Sequence, residues 1–262
     1  MRFLIFFLLI FSSVFAAHRL YLSTDFYYQD FKEKFFTKIT GKEKTVFRSY
    51  QIGYDFEKPQ MVYIGADFEQ NKDRANEKTH TKHEHVHSNF INYEGRLGYN
   101  LMSNPRVFVI PFIGMGDHLW TRKKNPLQFD KIKYHWVYLS YGARFNFGVC
   151  SFLQLGFRAK LIQLVKGSVK LYENHQSIFH NLYSDSNSFK IDLKKKLCYE
   201  LELPLIFTSQ TFHPFDLALV PYFQKYILDK SMNSIFLQNS YFTSSKGKTY
   251  DVGLRLEIGF NF

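Results

Sequence analysis

The chain lacks any apolar run long enough to cross a membrane as a helix. Its longest, Phe3 to Phe11, is about half of the roughly 18 residues such a span needs, and mean hydropathy over all 262 residues is −0.26. Cysteine is scarce as well. Two residues, Cys150 and Cys198, make neither a disulfide scaffold nor a zinc ribbon. The first falls in a predicted turn and the second in mid-strand, so no bridge is expected between them. Catalytic signatures are missing: there is no Gly-x-Ser-x-Gly elbow, no P-loop and no zinc-protease helix, and no cofactor is expected. Acidic residues are outnumbered, 23 Asp and Glu against 34 Lys and Arg, for a net charge of +11. A basic excess suits nucleic acid. Here the lysine clusters fall in predicted loops and not along one helix face, so the expected partner is another polyanionic surface and not nucleic acid.

Aromatic residues are abundant: 30 Phe and 18 Tyr raise the aromatic fraction to 19%. So many rings in a chain of polar average imply strands with one greasy and one wet face, a pattern that hydropathy windows miss. Residues 1–16 read as a secretory signal peptide: Arg2, a short apolar core, then Ser12-Ser13-Val14-Phe15-Ala16-Ala17, with cleavage after Ala16. They hold one charged residue, so a mature chain of residues 17–262 keeps 33 basic residues against 23 acidic ones, a net of +10.

The stretch Tyr250 to Phe262 alternates throughout. Tyr250, Val252, Leu254, Leu256, Ile258, Phe260 and Phe262 share one face; Asp251, Gly253, Arg255, Glu257, Gly259 and Asn261 share the other. Period two is the mark of a strand whose faces meet different media. This ending resembles the closing strand of bacterial outer-membrane β-barrel proteins, which typically stops on Phe. The resemblance implies that Phe262 is read by the outer-membrane assembly machinery.

The same alternation recurs upstream. Strands are predicted near 19–28, 46–56, 61–69, 89–101, 107–120, 133–147, 152–164, 189–207 and up to 226, before the closing strand. The fifth contains Pro111 and is apolar on both faces, which suits a strand poorly. Short connections (57–60, 102–106, 148–151, 208–214) alternate with long polar ones (32–45, 70–88, 121–131, 166–188 and 227–248), matching short periplasmic turns and long extracellular loops. The expected fold is all-β: a transmembrane antiparallel up-and-down β-barrel of about ten strands, with eight to twelve compatible with the boundaries. Phe26, Tyr28, Phe68, Trp120, Tyr134 and Trp136 are expected in an upper lipid-facing girdle; Tyr54, Phe56, Tyr99, Phe147, Phe207, Phe260 and Phe262 in a lower one. A soluble β-sandwich or lipocalin-like barrel shares the alternation with its greasy face turned inward. The signal peptide, the terminal Phe and the loop asymmetry favour the membrane.

Candidate chemistry is sparse. Asp25, Asp55, Glu94, Arg96, Arg144, Arg158, Lys160, Glu200, Glu202, Asp251, Arg255 and Glu257 are all predicted to face inward. A barrel this small has a narrow lumen, so mutual pairing as a plug is expected over a small-solute channel. Lys195 falls on the greasy face. The segment His80-Thr81-Lys82-His83-Glu84-His85-Val86-His87 puts three imidazoles on one face if extended, at about 6–7 Å spacing. That pitch suits Zn²⁺ or Cu²⁺; a solvated loop titrating near pH 6.5 is the plainer reading, and no metal site is assigned. Asp67 and Glu69 resemble the acidic pair of omptin proteases, themselves ten-stranded barrels. The family's Asp-x-His partner is absent, because Asp117 and His118 are adjacent and point to opposite faces. The expected role is therefore non-enzymatic: a surface-exposed structural or adhesion-type protein acting through its loops, with a porin-like small-solute channel as the alternative and an omptin- or lipid-deacylase-like outer-membrane hydrolase third. Expected partners are outer-membrane lipid and lipopolysaccharide, the assembly machinery through Phe262, and host or cell-surface ligands at the loops.

Overall fold

Alternating side chains and continuous backbone pairing leave this sequence one economical shape, a sheet closed on itself. The computed structural model describes residues 17–35, 39–58, 60–78, 83–101, 107–124, 129–173, 188–194, 196–208, 214–230, 236–237, 240–241 and 246–262. Residues 1–16, where the signal peptide is expected, lie outside this set, as does Lys195. The elements are β1 (Ala17–Phe35), β2 (Ile39–Glu57), β3 (Val62–Lys78), β4 (His83–Tyr99), β5 (Val107–Lys124), β6 (Phe129–Cys150) and β7 (Leu153–Glu173). They continue with β8 (Ser188–Lys194), β9 (Leu197–Glu202), β10 (Leu205–Thr208), β11 (Phe215–Lys230), the small pair β12 (Phe236–Leu237) and β13 (Ser240–Tyr241), and β14 (Lys246–Asn261). β8, β9 and β10 run in line as one stave between β7 and β11. β14 pairs antiparallel with β1, Arg19 opposite Asn261, which closes the sheet into ten staves. Among the described residues, closure leaves the barrel sheet without a free edge strand.

Pro204 explains the break between β9 and β10, since proline has no N–H to give to a neighbour. The ladder is held around it by Gly156 N–H donating to the Pro204 carbonyl (2.6 Å) and Leu203 N–H to that of Pro221 (3.0 Å). Pro111, which made the fifth strand the least certain from sequence, sits on the exposed face of an unbroken β5 and stays in register with Ala143.

Two expectations are corrected. The described residues of the polar stretches assigned to long loops are strand. β1 and β2 stay paired as far as Phe35 and Ile39, and β3 and β4 as far as Lys78 and His83. A polar strand outside lipid reads like a loop in sequence, yet its backbone still pairs. The unbroken staves run 16–22 residues, so at about 3.3 Å per residue and a tilt near 40° the barrel stands roughly 40–55 Å tall. The second correction concerns rings. Trp120, Tyr134 and Trp136 were expected to face lipid, but they are 6%, 1% and 3% exposed and point into the barrel. Parity explains this: Tyr134 and Trp136 share the inward positions of Tyr138, Ser140 and Arg144 on β6, and Trp120 shares those of Ile110 and Phe112 on β5. Phe26 and Tyr28 do face outward, as do Tyr99, Phe147, Phe207, Phe260 and Phe262.

The barrel therefore changes character with height. In its lower part the outward face is apolar (Leu22, Ile52, Leu97, Ile113, Phe157, Leu201, Leu217, Leu256) and the inward face is charged. From Val252 to Phe262 this belt spans ten residue steps, about 33 Å along the strand or about 25 Å along the axis, the height of a lipid-facing band. In the upper part the faces exchange roles. Arg48, Lys72, His87, Lys123, His135, Lys166 and Lys170 turn outward. Phe31, Trp120, Ile132, Tyr134, Leu164, Val169 and Leu193 form an apolar core inside. No helix among the described residues is long and apolar enough to cross a membrane.

Candidate functional site

The lower lumen is filled by charges that the alternation places inward and the closure brings face to face. Arg255 on β14 donates through Nε to Asp25 Oδ1 (2.7 Å) on β1 and through Nη1 to Glu202 Oε1 (2.9 Å) on β9. Arg158 on β7 meets the other oxygen of Glu202 at 3.2 Å. Lys160 joins Glu94 (3.0 Å) on β4 to Glu200 (2.9 Å) on β9. Arg144 on β6 reaches Asp55 (3.1 Å) and Glu57 (3.0 Å) on β2, four staves away in a ring of ten. A bridge of that span crosses the bore. Arg96 holds Asp67 at 2.7 Å, and near the lower end Arg19 clamps Asp216 at 2.7 Å. Every inward charge expected from the sequence does face inward, and most pair across strands.

Above this layer the lumen turns aromatic. His118 lies between Phe90 and Trp136, with centroids 5.3 and 4.1 Å away, both stacked. Trp120 stacks on Tyr134 at 4.9 Å, and the fully buried Arg122 guanidinium lies 4.5 Å over Phe31 and 5.3 Å over Trp120. Among the described residues the lumen includes two small cavities, each with a free volume of about 60 Å³. One sits within the ion-pair layer; the other lies above it between aromatic walls. The aromatic cavity had a readable signal in sequence, the inward parity that Trp136 shares with Tyr138, which the girdle assignment passed over.

The omptin-like candidates do not assemble. Asp67 is engaged by Arg96 and by the Tyr21 hydroxyl, and Glu69 accepts from Ser49 (2.7 Å). Asp117 points outside the barrel, where it meets His135 at 2.8 Å, while His118 points in. Of the histidine segment, His80 lies outside the described residues. His83, His85 and His87 fall on alternate positions of β4, with His87 exposed. Cys150 is exposed at the β6–β7 turn and Cys198 is buried inside; both are free.

The outer wall carries a basic patch. Lys123 on β5 is opposite Lys131 on β6, and Lys133 is opposite Lys170 on β7. Partial burial and the ammonium groups of Lys133 and Lys123 hold the Lys131 pKa below the ordinary lysine value, the sign of concentrated positive charge.

No protein-family model matches the chain, and no curated protein matches it. Among solved structures it is similar to the outer membrane protease OmpT from Escherichia coli, with a TM-score of 0.60 at 8% identity over 94% of this chain and 97% of that one. The chain has the outer-membrane β-barrel fold. It is also similar to the translocator domain of the autotransporter NalP from Neisseria meningitidis (TM-score 0.48, 9% identity, covering 94% of this chain and 88% of that one). A third is Ail, the attachment invasion locus protein of Yersinia pestis (TM-score 0.34, 11% identity, 95% and 100%). At 8% identity the likeness to OmpT is one of fold.

Proposed function

We propose that this protein resides in the outer membrane as a non-conducting, non-enzymatic barrel that acts as a surface-exposed structural and adhesion-type protein. The observation that carries the reading is the filled bore. Ion pairs that reach across it, such as Arg144 with Asp55, stand in the way of solute, which turns the reading to the outer wall above the apolar belt. That wall is basic at Lys123, Lys131, Lys133 and Lys170, which suits the phosphates of lipopolysaccharide beside it and anionic ligands on other cells. Export with a signal peptide over residues 1–16 and recognition of Phe262 by the assembly machinery belong to the same reading. A non-catalytic role is supported by the ion-paired Asp67 and by the opposite facing of Asp117 and His118. In this reading the protease named among the similar structures shares the shape and not the chemistry.

The test combines conductance and binding. Folded protein in a planar bilayer is expected to give no unitary steps, and to retain lipopolysaccharide-bearing vesicles in a salt-sensitive manner. Steady conductance steps would overturn the reading in favour of a channel, and cleavage of peptide or lipid substrates would overturn it in favour of a hydrolase.

A further inference from the structure

The upper cavity carries more than packing requires. Its walls include Tyr27, Phe90, Trp120, Trp136, Tyr222 and Tyr226, rings whose faces attract cations. Two carboxylates, Glu69 and Asp251, face the same space, and neither forms an ion pair among the described residues. Asp251 is 5% exposed and Gln29 8% exposed. The Gln29 amide donates to Asp251, which leaves Asp251 Oδ1 and Gln29 Oε1 buried and without a partner. Trp136, also lining the cavity, has a buried Nε1–H with no acceptor. Buried polar atoms are normally satisfied; two orphan acceptors and one orphan donor around one cavity describe the complement of a ligand. The protein already seats a cation on such rings nearby, with Arg122 over Phe31 and Trp120.

We propose that this cavity binds a small organic cation, an alkylammonium bearing a hydroxyl group. The ammonium sits against the rings with its charge beside Asp251, and the hydroxyl accepts from Trp136 Nε1 and donates to one of the two orphan oxygens. Size agrees. A free volume of about 60 Å³ holds about four to six waters, the bulk of a choline-sized molecule. The inference goes beyond the surface role above and does not depend on it.

Trp120 and Trp136 are the two tryptophans of the chain, and both line the cavity, so intrinsic fluorescence reports occupancy without a label. The full-length barrel in detergent is titrated with choline chloride against sodium chloride at equal ionic strength. Choline is also supplied during refolding, so that access does not decide the result. A saturable change is expected with choline, and at least about tenfold weaker binding of dimethylbutanol, its uncharged isostere. Asp251→Asn is expected to weaken choline binding about tenfold with heat-modifiable gel migration unchanged; Glu69→Gln takes its place if that variant does not fold. Absence of saturation means that water alone fills the cavity, and equal affinity for the uncharged isostere means a general apolar void. Either result overturns the proposal, as does unaltered affinity in the folded variant.

Discussion

Replacing Arg255 by Met removes the hub of the lower lumen. In the wild type its Nε lies 2.7 Å from Asp25 and its Nη1 2.9 Å from Glu202. Glu202 keeps Arg158 at 3.2 Å after the change. Asp25 is fully buried and keeps the Ser49 hydroxyl, at 3.3 Å. A buried charge stripped of its partner costs about 3–5 kcal/mol, because its desolvation is no longer compensated. Arg255→Met is therefore expected to destabilise by about that amount. Adding Asp25→Asn removes the stranded charge, so the double variant should lose at least about 1 kcal/mol less than the two single losses added together. Urea unfolding in lipid vesicles, followed by heat-modifiable migration and extrapolated linearly, measures each value. A loss below about 1 kcal/mol for Arg255→Met, or strict additivity in the double variant, would refute the claim that these pairs hold the bore together.

Other substitutions test other parts of the barrel. A Cβ at Gly53 meets the Tyr21 ring and the Asp67 carboxylate, whereas Gly95 has open space; Gly53→Ala should cost about 1–3 kcal/mol in the same unfolding assay and Gly95→Ala should gain about 0.4–1 kcal/mol. Leu256→Arg puts a charge in the middle of the apolar belt and should cost about 2–4 kcal/mol, while Lys123→Ala on the upper wall should stay within about 0.5 kcal/mol of wild type. Maleimide should label the exposed Cys150 in the folded protein, and the buried Cys198 only after unfolding; mass spectrometry of the two labelled states gives the answer.

Much of this architecture is legible in the chain, and particular residues show where legibility stops. The closing strand and the inward charges follow from period-two parity, and the ten staves from the rhythm of short turns. Trp120, Tyr134 and Trp136 resisted because ring-rich strand ends suggest a lipid girdle, while their parity pointed inward. The segment Lys32 to Thr45 resisted for another reason. Outside lipid a strand needs no greasy face, so lysines that look like a loop continue β1 and β2 nearly to their tip. Partners in the lumen were unreadable in principle. Arg144 and Asp55 are 89 residues apart, and which carboxylate an arginine meets across the bore depends on the register and stagger of every stave between them.

The faces of the barrel exchange roles with height, and spin labelling tests this most directly. Single-cysteine variants at Leu256 and Lys123, in a Cys150→Ser/Cys198→Ser background, carry a nitroxide in the barrel reconstituted into lipid. The label at 256 is expected to collide with dissolved oxygen and to be shielded from a water-soluble nickel chelate, and the label at 123 to show the reverse. Equal exposure of both positions to the nickel chelate would contradict it, because the apolar belt would then face water and not lipid.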